Sequence, residues 1–474
     1  MTTTEHEFGM LIGGRTVPAE GTPLKVLNPA TEAIVGRVPD ATDAQLQQAV
    51  DAAARAFETW RTVPLEERRA AVRGLAGILR EHREELAALL TAEQGKPLEQ
   101  ARGEIAAAAA WCEGTAALDF PEEELREDAT HRVRIRRVSL GPVAGIVPWN
   151  FPVAQAFWKI APALVTGNTI VIKPSPFTPL SALRIGELLR DALPAGVLNI
   201  VTGGDSLGPK LTEHPAIRKI AFTGSTATGQ KVMQSASRHL AHLTLELGGN
   251  DVAIVLPDAD LDTVAESLFW ASFRNSGQVC VASKRVYVHE DIYDAFAKRF
   301  ANVAQRVRVG NGAEAGVQVG PIQNRGQYEK VVALIEQSDK DGLSFLVKGD
   351  IPEGPGYFVH PTVVDNPPED APIVTVEQFG PVVPLLKWRD EDDVVARANN
   401  SEYGLAGSVW GSDLAAAERI AERIDTGTVW INESQRYSPA LPFGGHKFSG
   451  IGVEHGVEGL LNFTDLQVVS VRKG

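Results

Sequence analysis

The chain has 474 residues, of which 44% are hydrophobic and 22% charged, a composition that is ordinary for soluble globular proteins. This length predicts two or three domains, because one domain usually holds about 100–200 residues. Acidic residues outnumber basic ones by 60 to 46, and the net charge of −14 argues against nucleic acid or an anionic membrane as a partner.

No targeting or membrane-spanning segment is expected. The start, MTTTEHEFGM, has neither a basic region nor an apolar core of the kind that secretory signals carry. No apolar stretch approaches the about 20 residues that a spanning helix needs. Two cysteines cannot cross-link a chain of this size, which indicates a reducing, cytoplasmic compartment.

The first 120 residues are predicted to be helical. Thr42 is placed to cap an amphipathic helix over Asp43–Trp60, and Pro64 suits the first position of a helix that continues to Leu90. The acidic stretch Pro121–Asp128 is predicted to be an exposed connection. The alternation of Arg with Val and Ile in the following RVRIRRVSL predicts a half-exposed strand.

From Gly141 onward, short β-branched runs alternate with helical patterns. The predicted strands are TIVIK, VLNIV, RKIAF and LTLEL, and a second series follows Asp251 with KRVYVH, PVVPLLKW and GTVWIN. This βαβ rhythm predicts parallel sheets that are covered by helices on both faces.

Two glycine-containing loops join predicted strands to predicted helices. In FTGSTATG (Phe222–Gly229), Gly224 permits a tight turn, and the free N–H groups at the helix start can receive a phosphate. The spacing differs from the GxGxxG dinucleotide fingerprint, so an ordinary glycine turn is an equal alternative. A similar junction in TGGDSLG (Thr202–Gly208) favours a ligand at the carboxyl ends of the strands.

The second loop also spells GxSxG, the nucleophile elbow of α/β-hydrolases, with Ser206 as the nucleophile. A serine hydrolase is therefore an alternative from a different class. It would need an acid and a histidine after Ser206 in the chain, and several residues qualify without any being distinguished.

The cysteines differ in their surroundings. Cys112 sits in an alanine-rich helical pattern and is interpreted as a small buried hydrophobe. Cys280 ends FRNSGQVC, after the helical pattern Asp260–Arg274, where a thiol can be partly exposed. A nucleophilic cysteine needs surroundings that stabilise its thiolate. Because a lone cysteine is more often structural than catalytic, the residues near Cys280 decide between the two roles.

Two polar residues are candidates to act with Cys280. Asn150 lies between two prolines in PWNFP, where a stiff backbone can aim its amide. Glu246 ends a predicted strand in LELGGN and projects a carboxylate into a glycine loop. The alternatives are a turn-forming asparagine and a solvated charge at a strand end.

Together these motifs resemble the NAD(P)-dependent aldehyde dehydrogenase superfamily. GIVPWNFP, KPSP, VTGG, FTGSTATG, LELGGN, FRNSGQVC, EQFGPV and PFGGHKFSG follow one another from Gly145 to Gly450 in the family's order, and the flanking segments fit as well. The resemblance implies an α/β fold with a Rossmann-type cofactor domain, an α/β catalytic domain and a small β oligomerisation hairpin. It implies domain ranges of 1–120 with 141–247 for NAD(P) binding, 248–455 for catalysis, and 121–140 with 456–474 for the arm.

The resemblance also implies a mechanism of aldehyde oxidation to a carboxylic acid. The Cys280 thiolate would attack the aldehyde, and the Asn150 amide and the Cys280 backbone N–H would hold the oxyanion of the thiohemiacetal. After hydride loss, Glu246 would activate water to hydrolyse the thioester. Whether Glu246 also takes the thiol proton stays open.

For the cofactor, the resemblance implies Lys173 at the adenosine ribose, Ser225 at the pyrophosphate, and Glu377 with Phe379 at the nicotinamide. The full implied set is Ile146, Trp149, Lys173, Ser175, Gly203, Gly224, Ser225, Glu377 and Phe379. Many NAD-preferring members carry a glutamate three residues after the lysine, and here Pro176 stands there. NAD or NADP is therefore expected, with NAD slightly favoured.

Three residues bear on the substrate, a small-molecule aldehyde. Arg274 lies six residues before Cys280, where succinate-semialdehyde dehydrogenases carry an arginine that binds the substrate carboxylate. Their second arginine is replaced by Trp158, and Arg436 is a candidate substitute. A carboxylated semialdehyde is one hypothesis. The alternative is that Arg274 forms a structural salt bridge and Trp158 lines a tunnel for apolar or aromatic aldehydes.

The strand-forming tail LLNFTDLQVVSV, paired with the arm, predicts a homodimer or homotetramer. A coenzyme-A-acylating enzyme is an alternative that would not need Glu246. A catalytically silent relative is another, against which the presence of Cys280, Glu246 and Asn150 argues. The ten histidines show no metal-binding spacing, so no metal is expected.

Overall fold

The computed structural model describes residues 6–120 and 124–473, so residues 121–123 of the predicted connection lie outside the described part. The helices are α1 (Asp43–Trp60), α2 (Leu65–Glu81), α3 (Arg83–Gln94), α4 (Leu98–Ala116), α5 (Pro152–Val165), α6 (Leu180–Leu189), α7 (Leu207–Thr212), α8 (Thr226–Ala236), α9 (Leu261–Phe273), α10 (Tyr293–Arg306), α11 (Arg325–Lys340), α12 (Pro372–Thr375), α13 (Glu391–Asn399), α14 (Leu414–Ala421) and α15 (Gly456–Leu461).

The strands are β1 (His6–Glu7), β2 (Met10–Ile12), β3 (Arg15–Val17), β4 (Leu24–Leu27), β5 (Ile34–Val38), β6 (Glu124–Glu127), β7 (His131–Ser139), β8 (Pro142–Ile146), β9 (Thr169–Lys173), β10 (Leu198–Ile200), β11 (Lys219–Thr223), β12 (His242–Glu246), β13 (Val252–Val255), β14 (Arg285–His289), β15 (Ser344–Val347), β16 (Thr362–Asp365), β17 (Val382–Trp388), β18 (Tyr403–Gly404), β19 (Ala406–Trp410), β20 (Thr428–Ile431), β21 (His446–Lys447), β22 (Gly450–Ile451) and β23 (Thr464–Arg472).

The first large sheet has the strand order β22-β12-β11-β8-β9-β10-β2-β3. Strands β8 to β12 run parallel, and β2, β3 and β22 add antiparallel at its edges. Helices α1, α5, α6 and α8 pack on this sheet. The predicted parallel sheet is confirmed, and the carboxyl ends of β8, β9, β11 and β12 meet along one edge.

The second large sheet has the order β15-β16-β17-β14-β13-β19-β20. Its residues alternate between two apolar cores: Val252 and Ile254 belong to one, and Ala253 and Val255 to the other. Successive strand residues point to opposite faces, so both faces of this sheet are buried, as a parallel sheet requires. The α/β class is thereby confirmed.

A small antiparallel sheet joins β6, β7 and β23. Strand β23 pairs with β7 along its length, from Thr464 opposite Ser139 to Arg472 opposite His131. The predicted half-exposed strand and its pairing with the tail are confirmed. Leu466 and Val468 on β23 are apolar but largely exposed, at 60% and 61%.

The prediction that the first 120 residues are helical is wrong for residues 6–38, which form β1 to β5. These strands are short, and their partners are remote in sequence: Leu11 on β2 pairs with Ile200 on β10. Helices follow from Asp43, where Thr42 forms the predicted cap by accepting from the Gln45 N–H at 3.2 Å. The predicted helix to Leu90 is interrupted at His82, between α2 and α3.

Among the residues that the structure describes, no helix is both long enough and apolar enough to cross a membrane.

Candidate active site

The turn before Cys280 has an unusual backbone. Asn275, Ser276 and Gly277 have φ values of 50°, 58° and 72°, three left-handed residues in succession. A Cβ at Gly277 would lie 2.2 Å from the Gly380 carbonyl oxygen, so only glycine fits there. Strain of this kind in non-glycine residues persists where surrounding contacts enforce it, and it concentrates at functional sites. The turn redirects the chain at the end of α9 and presents Cys280, which is half-buried.

Asn150 is held directly against this turn. Its side-chain Nδ2 donates to the Gln278 carbonyl oxygen at 2.9 Å, and its own carbonyl oxygen accepts from Asn275 Nδ2 at 3.0 Å. Asn150 and Cys280 both line one groove of about 790 Å³. The structure therefore brings together the predicted nucleophile and the predicted amide donor.

The same groove is lined by predicted cofactor residues: Trp149, Gly224, Ser225, Glu377 and Phe379. Ser225 caps α8 by accepting from the Thr228 N–H at 3.3 Å, so the start of α8 faces the groove. Helix starts favour negative charge, which fits a dinucleotide pyrophosphate.

Across the groove, Phe379 packs edge-to-face on Trp149 at 5.4 Å. The Glu377 carboxylate accepts from the Gly249 N–H at 3.0 Å and lies 3.4 Å from Lys284 Nζ. A Cβ at Gly248 would lie 2.5 Å from Glu377, so the backbone comes close to this carboxylate. These contacts fix a carboxylate and an aromatic ring on the same wall of the groove.

The remaining predicted cofactor residues, Ile146, Lys173, Ser175 and Gly203, are not among the residues that line this groove. They lie at or just after strand ends beside it, and Ile146 pairs with Lys173 across β8 and β9. Burial lowers the pKa of Lys173 to about 8, and Asp205 and Asp40 oppose that shift. The lysine is thus a buried cation whose local charge is partly balanced by acids.

Glu246 lies behind the groove, next to the lining residue Leu247. It is 4% exposed, and neither carboxylate oxygen has a hydrogen-bond partner among the residues that the structure describes. Burial raises the pKa of Glu246 well above its usual value; Glu454 raises this pKa further and Lys159 lowers it. An unpaired buried carboxylate is costly to keep and typical of a group that exchanges protons.

Lys159 and Glu454 were not singled out from the sequence. Lys159 Nζ lies 2.9 Å from Glu454 Oε1 and donates to Thr223 Oγ1 at 2.7 Å, and both ionic side chains are fully buried. The available signal was a lysine within α5, whose other residues are almost all apolar.

Burial also raises the pKa of the Cys280 thiol, to about 12; Lys284 opposes the shift, and Asp251 and Glu246 add to it. Burial thus favours the neutral thiol, and a base that takes its proton would assist the attack. Lys284 Nζ donates to the Val279 and Cys280 carbonyl oxygens at 2.9 and 2.5 Å, which places a positive charge beside the turn.

Aromatic rings also lie close to Cys280. Cys280 and Tyr437 pack against one apolar cluster that includes Trp430 and Phe443. Trp158 contacts Tyr437 at a ring-centroid distance of 5.4 Å. On its other side Trp158 meets Trp111 at 5.3 Å and His455 at 4.4 Å.

The two predicted substrate arginines are exposed and do not line the Cys280 groove. Arg274 has no acidic partner among residues 6–120 and 124–473, so the structural salt bridge considered for it is not formed there. Arg436 lies 3.7 Å from Glu433 and lines a separate cavity of about 310 Å³ with Tyr437. Gln435 Nε2 donates to the Ala271 carbonyl oxygen at 2.6 Å, which holds this loop against the end of α9.

Ser206, the alternative nucleophile, is an exposed residue in an ordinary right-handed conformation at the start of α7. It lacks the strained backbone of a nucleophile elbow. Within the described ranges, no histidine bonds to it.

Comparisons with known proteins agree with one another. A family profile described as "Aldehyde dehydrogenase family" matches residues 16–469. A phenylacetaldehyde dehydrogenase of Pseudomonas fluorescens is 41% identical over 96% of this chain and 94% of its own length. A glutarate-semialdehyde dehydrogenase of Pseudomonas putida is 38% identical over 97% of both chains. A crystal structure of a putative aldehyde dehydrogenase from Burkholderia cenocepacia superposes with a TM-score of 0.95 at 38% identity, over 98% of this chain and 97% of that one.

Proposed function

Because the chain belongs to the aldehyde dehydrogenase family and oxidises aldehydes with NAD(P), we propose that Cys280, Asn150 and Glu246 carry the reaction. Their roles are nucleophile, oxyanion donor and general base. The observation that supports this assignment is that Asn150 and Cys280 line one groove, tied through the Gln278 carbonyl.

In the first step the Cys280 thiol loses its proton to a base and its sulfur bonds to the aldehyde carbon. The carbonyl π electrons move onto oxygen, where the second N–H of the Asn150 amide and the Cys280 backbone N–H donate to the charge. Bound NAD(P)⁺ supplies the hydride acceptor for this chemistry.

In the second step a thioester links Cys280 to the oxidised substrate. Glu246 takes a proton from water, and the water oxygen attacks the thioester carbon. The bond between the acyl carbon and the Cys280 sulfur then breaks with its electron pair going to sulfur, which releases the carboxylic acid and leaves a Cys280 thiolate that can take back the proton held by Glu246.

We expect turnover to rise with pH as Glu246 deprotonates. Its pKa is raised in the folded protein, so the carboxylate that acts as base is depleted at acid pH and formed above that raised pKa. Lys159→Met removes the cation that lowers this pKa, and the ascending limb of kcat against pH should move to higher pH. The measurement is kcat from pH 5 to 10 for both proteins; an unmoved limb would contradict Glu246 as the titrating base.

We propose that both NAD and NADP are accepted, with NAD slightly preferred. Pro176 carries no charge that would repel a 2′-phosphate. Asp40 and Asp205 act on Lys173 and reduce the positive charge that would attract one.

For the substrate, the aromatic lining supports apolar or aromatic aldehydes best, since rings bury well among Trp158, Tyr437 and Phe443. A semialdehyde with a carboxylate is the second candidate, because Arg274 has no acidic partner in the described part of the chain.

We expect kcat/KM for benzaldehyde to exceed that for succinate semialdehyde, measured with each nucleotide. Arg274→Gln is the matched control. It should leave kcat/KM for benzaldehyde unchanged, and it should lower kcat/KM for succinate semialdehyde only if the arginine binds the substrate carboxylate. A higher kcat/KM for succinate semialdehyde, lost in Arg274→Gln, would select the second candidate.

We also propose that the chain forms a homodimer or homotetramer through the β6–β7–β23 sheet. Leu466, Val468 and Leu125 are apolar and more than half exposed there. The double variant Leu466→Lys/Val468→Lys should have a lower molar mass than the native protein, measured by light scattering at micromolar concentration. A monomeric native protein would contradict the assembly.

A further inference from the structure

The buried ion pair Lys96–Glu104 contacts the segment that carries Asn150. The two side chains are 0% and 1% exposed and lie on different elements, Lys96 after α3 and Glu104 within α4. Removing two charges from water costs several kcal/mol per ion, and apolar residues of similar volume often serve stability as well or better. The pair is therefore poorly explained by stability alone.

Within the described part of the chain, the other polar contacts of the two side chains go to residues 150–154. Lys96 Nζ donates to the Asn150 carbonyl oxygen at 2.8 Å and lies 3.9 Å from the centre of the Phe151 ring. Glu104 Oε1 accepts from the Val153 and Ala154 N–H groups at 2.9 and 3.1 Å. The ion pair thus holds both ends of this short segment.

Glu104 replaces a missing helix cap. Helix α5 begins at Pro152, and its N-cap residue, Phe151, makes no side-chain cap. The first N–H groups of a helix have no partners within it, and a negative charge there is stabilising. Glu104 supplies both the acceptor and the charge from another helix, so the start of α5 is positioned by α4.

We infer that Lys96 and Glu104 are positioning residues for the Asn150 amide. Lys96 and Asn275 both donate to the Asn150 backbone carbonyl oxygen, and the Gln278 carbonyl oxygen accepts from the Asn150 side-chain amide. An oxyanion donor acts only when aimed at the place where charge develops, and small displacements are costly. This inference rests on the proposed role of Asn150.

The test is the single-turnover rate of NADH formation. Lys96→Met should lower this rate by about 10- to 100-fold, with KM changed much less, because the donor is misplaced rather than the substrate site lost. In an Asn150→Ala background, which itself should lower the rate by about 10²- to 10³-fold, Lys96→Met should add less than about a twofold loss. The alkylation rate of Cys280 by iodoacetamide should stay unchanged in Lys96→Met.

The double variant Lys96→Met/Glu104→Leu separates positioning from folding. It removes both buried charges together but leaves the Val153 and Ala154 N–H groups without their acceptor, so the Tm should fall. Measured on the folded protein below that Tm, the rate should still fall as in Lys96→Met. Glu93→Gln is the matched control: Glu93 is also a buried acid that caps a helix, accepting from the Leu180 and Ser181 N–H groups, and it should lower the Tm without lowering the rate.

Two failures are distinguishable. If Asn150→Ala keeps the native rate, the proposed oxyanion role is wrong. If Asn150→Ala loses activity but the folded double variant keeps the native rate, or if Lys96→Met and Asn150→Ala lower the rate multiplicatively, the positioning role is overturned.

Discussion

Cys280→Ser is expected to lower kcat by about 10⁴-fold or more, because a serine hydroxyl is a far weaker nucleophile than a thiolate and ionises even less readily. The Cys280 thiol already needs a base, since burial raises its pKa to about 12. A hydroxyl in the same surroundings has a still higher intrinsic pKa, so the same base would deprotonate it far less readily. The measurement is steady-state NADH formation at saturating aldehyde.

Cys112→Ala is the matched control. Cys112 is exposed neither to solvent nor to the groove: it is 0% exposed within α4, and burial raises the pKa of its thiol. This change should cost some stability and leave kcat at its native value. If Cys280→Ser kept the native kcat, or if only Cys112→Ala lost activity, Cys280 would not be the nucleophile.

Glu246→Gln is expected to separate the two half-reactions. Without a carboxylate to activate water, thioester hydrolysis should slow by about 10²- to 10⁴-fold, whereas hydride transfer should proceed. The result is a burst of NADH equal to the number of active sites, followed by slow turnover. Stopped-flow absorbance and mass spectrometry of the acylated Cys280 measure both.

Added coenzyme A tests the rival chemistry. The result that would contradict hydrolysis is a native enzyme that turns over only with coenzyme A, together with a Glu246→Gln variant that has the same rate. The acyl group would then be transferred to the thiol of coenzyme A, and Glu246 would have no role. Glu93→Gln, which replaces a buried acid that does not line the groove, should show neither a burst nor slow turnover.

The sequence predicted those features of the fold and of the site that depend on a few adjacent residues. The Thr42 cap, the turn before Cys280 and the stiff Asn150 segment each depend on a few adjacent residues, and the structure shows each in place. The strands at residues 6–38 were missed because two to five residues carry little periodicity, and their pairing is decided by remote partners.

The buried ionic residues were missed for the same reason. Lys159 and Glu454 are separated by 295 positions, and although Lys159 stands out in an apolar helix, its partner is identified only when the fold encloses both. Arg436 shows the converse: its loop position suggested a substrate contact, but the structure leaves its side chain 77% exposed beside Glu433. Whether a charge faces solvent or a partner depends on packing between distant segments.

The contact between Gly277 and Gly380 links the sulfur to the nucleotide side of the groove. A Cβ at Gly277 would meet the Gly380 carbonyl oxygen at 2.2 Å, and a Cβ at Gly380 would meet the Val331 side chain at 2.3 Å. Two loops that are about a hundred positions apart therefore touch backbone to backbone. A mutant library that randomises 376–380 to alter nucleotide choice needs both glycines held constant, since a bulkier residue at either would shift the sulfur as well.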